Sequence, residues 1–422
     1  MSATARPGPV SSLQVTSSTL RDVEAKVNSH YPGLLPTVKG GLAVFGTMAL
    51  AGRTKPLSLI YEATSGYGKS AIVEMFFPLE ALQRHAYRCD KFTPKAFVTH
   101  AANVPRERLA EIDLLPKLDG KVLVTKELSP IFRGNQDEVR ENFAILIPVL
   151  DGKGFTSNTG AQGRRGYEQP ILFNWIGATT PLPRETHKVM YQLGTRLLFY
   201  EVPSKLPTEE ELVKYAERDD ASQGEVDCQQ SVNAFLIEFF KQHSVGSVNP
   251  ADIKIPNILL RLITRWALLL SKVRAGLRYE KEGNEWKAVA ANQPEGPFKL
   301  INYFKALARG HALIHGRTQV TVADVELVAH VALSSIPGHL RPIFRALRKS
   351  NAVTSTECEK LCGVSRPTAR RYLEELTVAG IVRLTRGNEA KNTPYCATLI
   401  SKFQWLKTLK IRRGVRVGRG RK

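Results

Sequence analysis

Between residues 55 and 203, short uninterrupted apolar runs alternate with longer stretches in which apolar residues return every three or four positions. Lys55–Glu62 reads as a buried strand, and Ala96–His100, Val122–Thr125 and Ile171–Gly177 read as three more. The helical period runs through Ser70–Arg84 and through Gln136–Ile147, which Pro148 would end. This alternation predicts a mainly parallel α/β sheet. Upstream, Leu20–Ser29 and Thr37–Leu50 read as helices on either side of the turn-forming Tyr31-Pro32-Gly33. After about Pro203 the strand pattern stops. Glu209–Arg218, Val226–His243, Asn257–Ala275, Phe298–His315 and Val322–Ser335 carry the helical period. Pro337-Gly338 punctuates the chain, and from about His339 a small helical module leads into strand-like segments. The expected organisation is a Ser/Thr/Ala/Pro-rich disordered stretch at 1–20, an α/β core at 21–205, a helical region at 206–338, a compact module at 339–406 and a basic tail at 407–422.

Composition narrows the class. The 422 residues are 43% hydrophobic, the value of an ordinary globular protein. The apolar run Leu42–Ala51 is broken by Gly46 and Thr47 and is too short to cross a bilayer. Met1–Ser18 has no signal-peptide core, so a soluble cytoplasmic protein without membrane contact is expected. Cys358 and Cys362 stand four apart on a helix without a second zinc-spaced pair, and read as small apolar residues. Lys and Arg number 60 against 39 acids, a net charge of +21. The excess is concentrated after residue 350, where sixteen basic residues face five acidic ones, a distribution suited to a polyanion such as DNA.

The strongest local chemistry follows the strand Leu57–Tyr61. There Glu62-Ala63-Thr64-Ser65-Gly66-Tyr67-Gly68-Lys69-Ser70 opens a helix. A strand, a glycine-rich loop, Lys-Ser and a helix make a phosphate-binding loop. Ser65, Gly66, Tyr67 and Gly68 would offer backbone amides to ATP, Lys69 would reach the β- and γ-phosphates, and Ser70 would ligate Mg²⁺. The full motif has glycine at 63, where this chain has Ala63. Hydrolysis also needs a carboxylate, and Lys121–Glu127 is an apolar strand that ends in one. Glu127 is the candidate base, metal-shell ligand or both. Lys126 stands where a first acid is expected. The strand Ile171–Gly177 ends in Ala178-Thr179-Thr180-Pro181, and Thr180, with Thr179 second, can hold the lytic water or the γ-phosphate. Arg196, in Gly194-Thr195-Arg196-Leu197-Leu198-Phe199, could neutralise charge on a phosphate in a neighbouring subunit.

Two further segments could touch DNA. Leu150–Tyr167 reads as a β-hairpin with Lys153 near its base and Arg164 and Arg165 beside a glycine-rich turn. Val353–Ile400 reads as a winged helix-turn-helix. Its second helix, capped by Ser365 with Pro367 in the first turn, carries Arg366, Arg370 and Arg371 largely off the apolar face, and Arg386 lies in the wing.

In this order the motifs resemble AAA+ ATPases related to the minichromosome maintenance (replicative helicase) group, including ATPases of bacterial mobile elements and phages. The resemblance covers about residues 40–400. It implies an AAA+ P-loop ATPase core with a helical lid and a C-terminal winged helix, and an arginine acting in trans within a ring, usually a hexamer. It also implies that the hairpin grips nucleic acid, and that Lys299 occupies the place of a second sensor arginine at the start of a lid helix. Three functions follow as expectations. One is an ATP-driven DNA translocase or helicase in replication or mobile-element maintenance. The others are an ATP-switched DNA-bound assembly that does not unwind, and a nucleotide-binding scaffold with weak hydrolysis.

Overall fold

A computed structural model describes residues 19–160, 162–193, 196–203, 208–217, 221–283, 285–350, 352–386 and 394–408. The expected disordered stretch before residue 19, the Gly194-Thr195 pair, the turn of the wing at 387–388 and the basic tail beyond residue 408 lie outside them.

The chain begins with α1 (Leu20–His30) and α2 (Leu35–Met48). The α/β region contains β1 (Ser58–Glu62), α3 (Lys69–Glu74), β2 (Ala86–Arg88), α4 (Arg106–Ile112), β3 (Val122–Thr125), α5 (Ser129–Phe132) and α6 (Gln136–Val149). It continues through β4 (Phe155–Thr159), β5 (Gly163–Tyr167), β6 (Asn174–Thr179), α7 (Arg184–Leu193) and β7 (Leu197–Glu201). Next come α8 (Glu209–Ala216), α9 (Ala221–Gln242), α10 (Asn257–Val273), β8 (Leu277–Glu282), β9 (Glu285–Ala291), α11 (Phe298–Ile314) and α12 (Val322–Ser334). The last elements are α13 (Arg341–Lys349), β10 (Ala352–Thr354), α14 (Ser355–Cys362), α15 (Arg366–Val378), β11 (Val382–Arg386), β12 (Tyr395–Leu399) and α16 (Trp405–Thr408).

The protein is a mixed α/β fold around a five-stranded sheet in the order β2-β3-β6-β1-β7. Every pairing in that sheet is parallel. Strands buried on both faces read as continuous apolar runs, and β1, β3 and β6 are buried along their whole length. One core face gathers α2, α9, α10, α11 and α12 around Phe45, Trp266 and Phe304. The other gathers Phe97, Phe132, Phe173 and Trp175.

Two contacts fix α2 to this frame. At the α2–α11 crossing, Gly46 and Gly310 meet backbone to backbone. A Cβ on Gly310 would lie 2.4 Å from the Ala43 carbonyl oxygen, and one on Gly46 would lie 2.5 Å from that of Gly310. At the start of β6, the buried Asn174 donates to the Val44 carbonyl at 2.9 Å and to Thr47 Oγ1 at 2.7 Å. Its own oxygen accepts from the Leu57 amide at 3.0 Å. One side chain thus ties the entry of β1 and the end of α2 to β6.

The structure corrects several sequence expectations. Residues 96–100 are not a strand. Pro94–Phe97 is a 3₁₀ turn that buries Phe97, and the edge strand is β2 instead. The helix after the glycine-rich loop ends at Glu74, short of Pro78, which cannot donate a helical hydrogen bond. The region read as all-helical contains the antiparallel β8–β9 hairpin. The C-terminal module contains α14 and α15 and a three-stranded antiparallel sheet in the order β10-β12-β11. Thr354 and Glu357 form a capping box at the start of α14, and Gly363 ends it in the left-handed region.

Asp324 anchors the start of α12. It is buried, lies 2.5 Å from His311 Nδ1 and 2.8 Å from Arg317, and accepts from the Thr321 amide at 2.6 Å. Burial opposes its charge, yet these hydrogen bonds hold its carboxyl down at about 2. Its folded value is below its unfolded one, so its contribution is full above pH 3.8 and is lost as pH falls toward 2. Asp324→Asn should therefore flatten the decline of melting temperature across that interval, measured by thermal unfolding at stepped pH. Gly310→Ala gives a second check. Alanine favours helix by about 1 kcal/mol, but overpacking against backbone costs about 1–3 kcal/mol. Net destabilisation in a denaturant titration is expected.

Candidate functional site

All five strands run the same way, so their C-terminal ends share one edge of the sheet. The loop after β1 lies on that edge. Its first residue, Ala63, donates its amide to the Thr179 carbonyl at 3.2 Å, which ties it to the end of β6. Gly66 and Gly68 have φ of +87° and +75°, a region that residues with a Cβ rarely enter. Ser65 and Tyr67 complete the turn, and Lys69 and Ser70 open α3.

Lys69 is nearly buried, and its Nζ lies 3.4 Å from Glu127 Oε2. The other oxygen of Glu127 accepts from the Ser129 amide at 2.8 Å, which orients the carboxylate. Lys126 points elsewhere. Its ammonium pairs with Glu74 at the end of α3, so it does not compete with Lys69 for Glu127. Thr179 is fully buried, and its hydroxyl donates back to the Thr180 carbonyl at 3.1 Å. Thr180 is less buried, and its Oγ1 accepts from Arg133 Nη2 at 2.6 Å and lies 3.0 Å from Ser129 Oγ.

Ser129 and Arg133 are the residues that sequence reasoning missed. They begin and follow the single turn of α5, four residues apart, directly after the strand that carries Glu127. A guanidinium only donates, so Arg133 occupies a lone pair of Thr180 and leaves its hydroxyl hydrogen to be given away. Beside the loop the structure thus brings together two cations, Lys69 and Arg133, the Glu127 carboxylate and the Thr180 hydroxyl, with the Lys126–Glu74 pair next to them. No cluster of three His, Cys, Asp or Glu that could hold a metal ion occurs among the described residues. Mg²⁺ needs no such cage, since it keeps several waters and takes one or two protein oxygens plus phosphate. The Ser70 hydroxyl and Glu127 suit that demand.

Arg196 and Lys299 stand elsewhere. Arg196 precedes β7, whose Leu197 pairs with Ser58 and whose Glu201 pairs with Glu62. It therefore lies at the opposite edge, roughly 16 Å of strand from the phosphate loop. There Asp151 accepts from Arg196 Nε at 2.9 Å and from Lys55 at 3.0 Å, with Lys299 at 3.8 Å. Burial works against the Asp151 charge, but these partners bring its carboxyl down to about 2. Neither Arg196 nor Lys299 reaches the phosphate loop of its own chain.

The β4–β5 hairpin pairs Ser157 with Arg165 and Asn158 with Arg164. Strand alternation sends these two arginines to opposite faces. Arg164 is exposed and pairs with Glu168. Arg165 corrects the expectation of two DNA-facing arginines. Its guanidinium is buried, 2.9 Å from the fully buried Asp113, and it also donates to the Thr99 carbonyl. Asp113 accepts in addition from Tyr167 at 2.9 Å and from the Thr99 amide at 2.6 Å, so Arg165 fastens the hairpin to the body. Lys153 is exposed at the hairpin base.

In the C-terminal module, Arg366, Arg370 and Arg386 are exposed. Arg370 and Arg386 lie over the Tyr395 ring at 4.4 and 5.5 Å. Arg371, with its side chain about as exposed as that of Arg370, lies 4.0 Å from the buried Glu375, which also binds Arg184 and accepts from Tyr279 at 2.9 Å. These last two residues belong to α7 and β8, so α15 is docked on the body through its C-terminal half.

No protein-family model matches the chain, and a search of curated proteins finds no significant match.

Asp113→Ala should free the hairpin. Losing one partner of a buried ion pair costs about 3–5 kcal/mol. Limited proteolysis should then cut within residues 155–167 much faster than in the wild type, while Glu168→Ala leaves the rate unchanged.

Proposed function

We propose that the chain is a P-loop ATPase of the AAA+ type that binds Mg-ATP at residues 63–70 and couples hydrolysis to DNA. One observation carries this reading: Glu127 lies 3.4 Å from Lys69 although its strand is not a neighbour of β1. The intervening strand, β6, delivers Thr180 to the same edge. A phosphate seated on the loop amides would thus meet a cation, a carboxylate and a hydroxyl.

The chemistry follows from these groups. Lys69 and the loop amides neutralise the β- and γ-phosphates. Ser70 and Glu127 would hold Mg²⁺ on the protein side, and the bound metal would supply further charge neutralisation at the phosphates. Glu127 accepts a proton from the attacking water. Thr180, with one lone pair engaged by Arg133, donates its hydrogen to a γ-phosphate oxygen. Arg133 holds Thr180 in that role. Arg196 and Lys299, at the far edge, act on the nucleotide of a neighbouring copy, which requires a ring, expected to be hexameric. DNA contacts fall to Lys153 and Arg164 of the hairpin and to Arg366, Arg370 and Arg386 of the module, read as a winged helix. No helix of the described residues is long and apolar enough to cross a membrane.

A second reading, an ATP-controlled DNA-bound assembly without unwinding, is favoured by the docking of α15 through Glu375. DNA-stimulated turnover with strand separation selects the motor. ATP-dependent assembly without separation selects the switch.

ATPase assays with and without DNA test the proposal. Lys69→Ala should abolish turnover, and Glu127→Gln should retain ATP binding while losing turnover by about a hundredfold or more. Absence of turnover above background in the wild type ends the ATPase reading. Thr180→Val and Arg133→Ala should each lower kcat about a hundredfold. Their combination should cost no more than either alone, because they act as one unit. Arg133→Lys should recover part of the loss with KM unchanged.

A further inference from the structure

A cavity of about 230 Å³ lies at the sheet edge opposite the phosphate loop, between the segment joining α2 to β1, the turn at Pro250 and one face of α11. Arg53, Lys55, Lys305 and Arg309 line it, beside Asn302 and Tyr303, and no Asp or Glu is among its lining residues. Lys55 has a counter-ion, Asp151, at 3.0 Å. The other three cations have no carboxylate within ion-pair distance among the described residues. Arg53 gives one hydrogen bond to Asn174 Oδ1 at 2.8 Å, and Arg309 gives one to the Ile253 carbonyl at 3.1 Å. Each guanidinium has five N–H donors, so most of this donor capacity is uncommitted. Burial alone pushes the Arg53 guanidinium down to about 10, and burial also lowers that of Arg309. Half-buried cations without a counter-charge are costly unless something anionic meets them.

We propose that this cavity is a second anion site, which takes a phosphate group. Its volume of about 230 Å³ is enough for a phosphate group. Two arginines and two lysines supply the forked and point-charge donors that phosphate oxygens accept. Asn174 holds Arg53 in place while also bonding the Leu57 amide, so this part of the site is built on the entry of β1 rather than on a loose side chain. The phosphate can come from a nucleic-acid backbone or from a nucleotide carried by another copy of the chain. The site does not depend on the ATPase reading, because it is separate from the loop at 63–70.

The full chain carrying Lys69→Ala, which removes the loop lysine, allows the test. Tripolyphosphate binding is measured by calorimetry and by its effect on melting temperature. Lys305→Gln with Arg309→Gln should weaken binding about tenfold and remove the thermal shift. A control pair, Arg261→Gln with Arg265→Gln on the exposed side of α10, should leave both unchanged. Arg309→Glu, which brings a carboxylate to the cavity, should fold and fail to bind. Equal loss in both pairs, no loss in either, or full binding by Arg309→Glu overturns the proposal. If a single-stranded oligonucleotide displaces tripolyphosphate and is itself weakened by the first pair, the phosphate is that of a nucleic-acid backbone. If it does not compete, the phosphate is that of a nucleotide.

Discussion

Parallel strands cannot be joined by tight turns, and this constraint arranges the rest of the molecule. Each crossover returns the chain to the starting edge, so every strand finishes on the other edge. The loop after β1, Glu127 after β3 and Thr180 after β6 are thereby gathered from positions more than fifty residues apart. The same geometry sends the residues that precede strands, such as Arg196, to the far edge. One edge holds the loop with its cation, carboxylate and hydroxyl, and the other holds the Asp151 cluster and the basic cavity.

The two edges are secured differently. Near the phosphate loop, Glu62 ends β1 as a buried carboxylate. It pairs with Arg341 at the start of α13, and its other oxygen accepts from the Leu182 amide at 3.1 Å. Arg341 also lies 3.6 Å from Glu201 at the end of β7. The residue immediately before the phosphate loop is therefore tethered to the helix that leads into the C-terminal module. At the far edge, Asn174 and the Gly46–Gly310 crossing fix α2 and α11 with hydrogen bonds and backbone contact, and Arg53, Lys305 and Arg309 there have no carboxylate partner among the described residues.

Some of this was legible in the sequence. β1, β3 and the core helices follow from apolar runs and periods of three to four, because burial imposes those patterns directly. Gly66 and Gly68 were legible because a tight strand-to-helix loop with positive φ calls for glycine. The residue pattern also announced the β4–β5 hairpin. The edge strand was missed because β2 has three residues and no pattern, while Phe97 and Val98 are buried in a turn and imitate a strand. The β8–β9 hairpin was masked by long helices on either side, although Leu-Arg-Tyr-Glu does alternate.

Charge was the least legible property, because a sequence records which residues are ionised but not which ones meet. Arg164 and Arg165 are adjacent and chemically identical, yet strand alternation exposes one and buries the other on Asp113, fifty-two residues away. Lys126 stands where an acid is expected, and only the structure shows that its charge is met by Glu74 rather than by Glu127. Arg133 carried no motif, and only the meeting of α5 with the end of β6 put it on Thr180. By itself the sequence determined most of the core elements and the glycine-rich loop at 63–70, because local periodicity and backbone conformation depend on near neighbours. The tertiary structure decided which charges face one another, because ion pairs and hydrogen bonds act through space across distances that chain order does not encode.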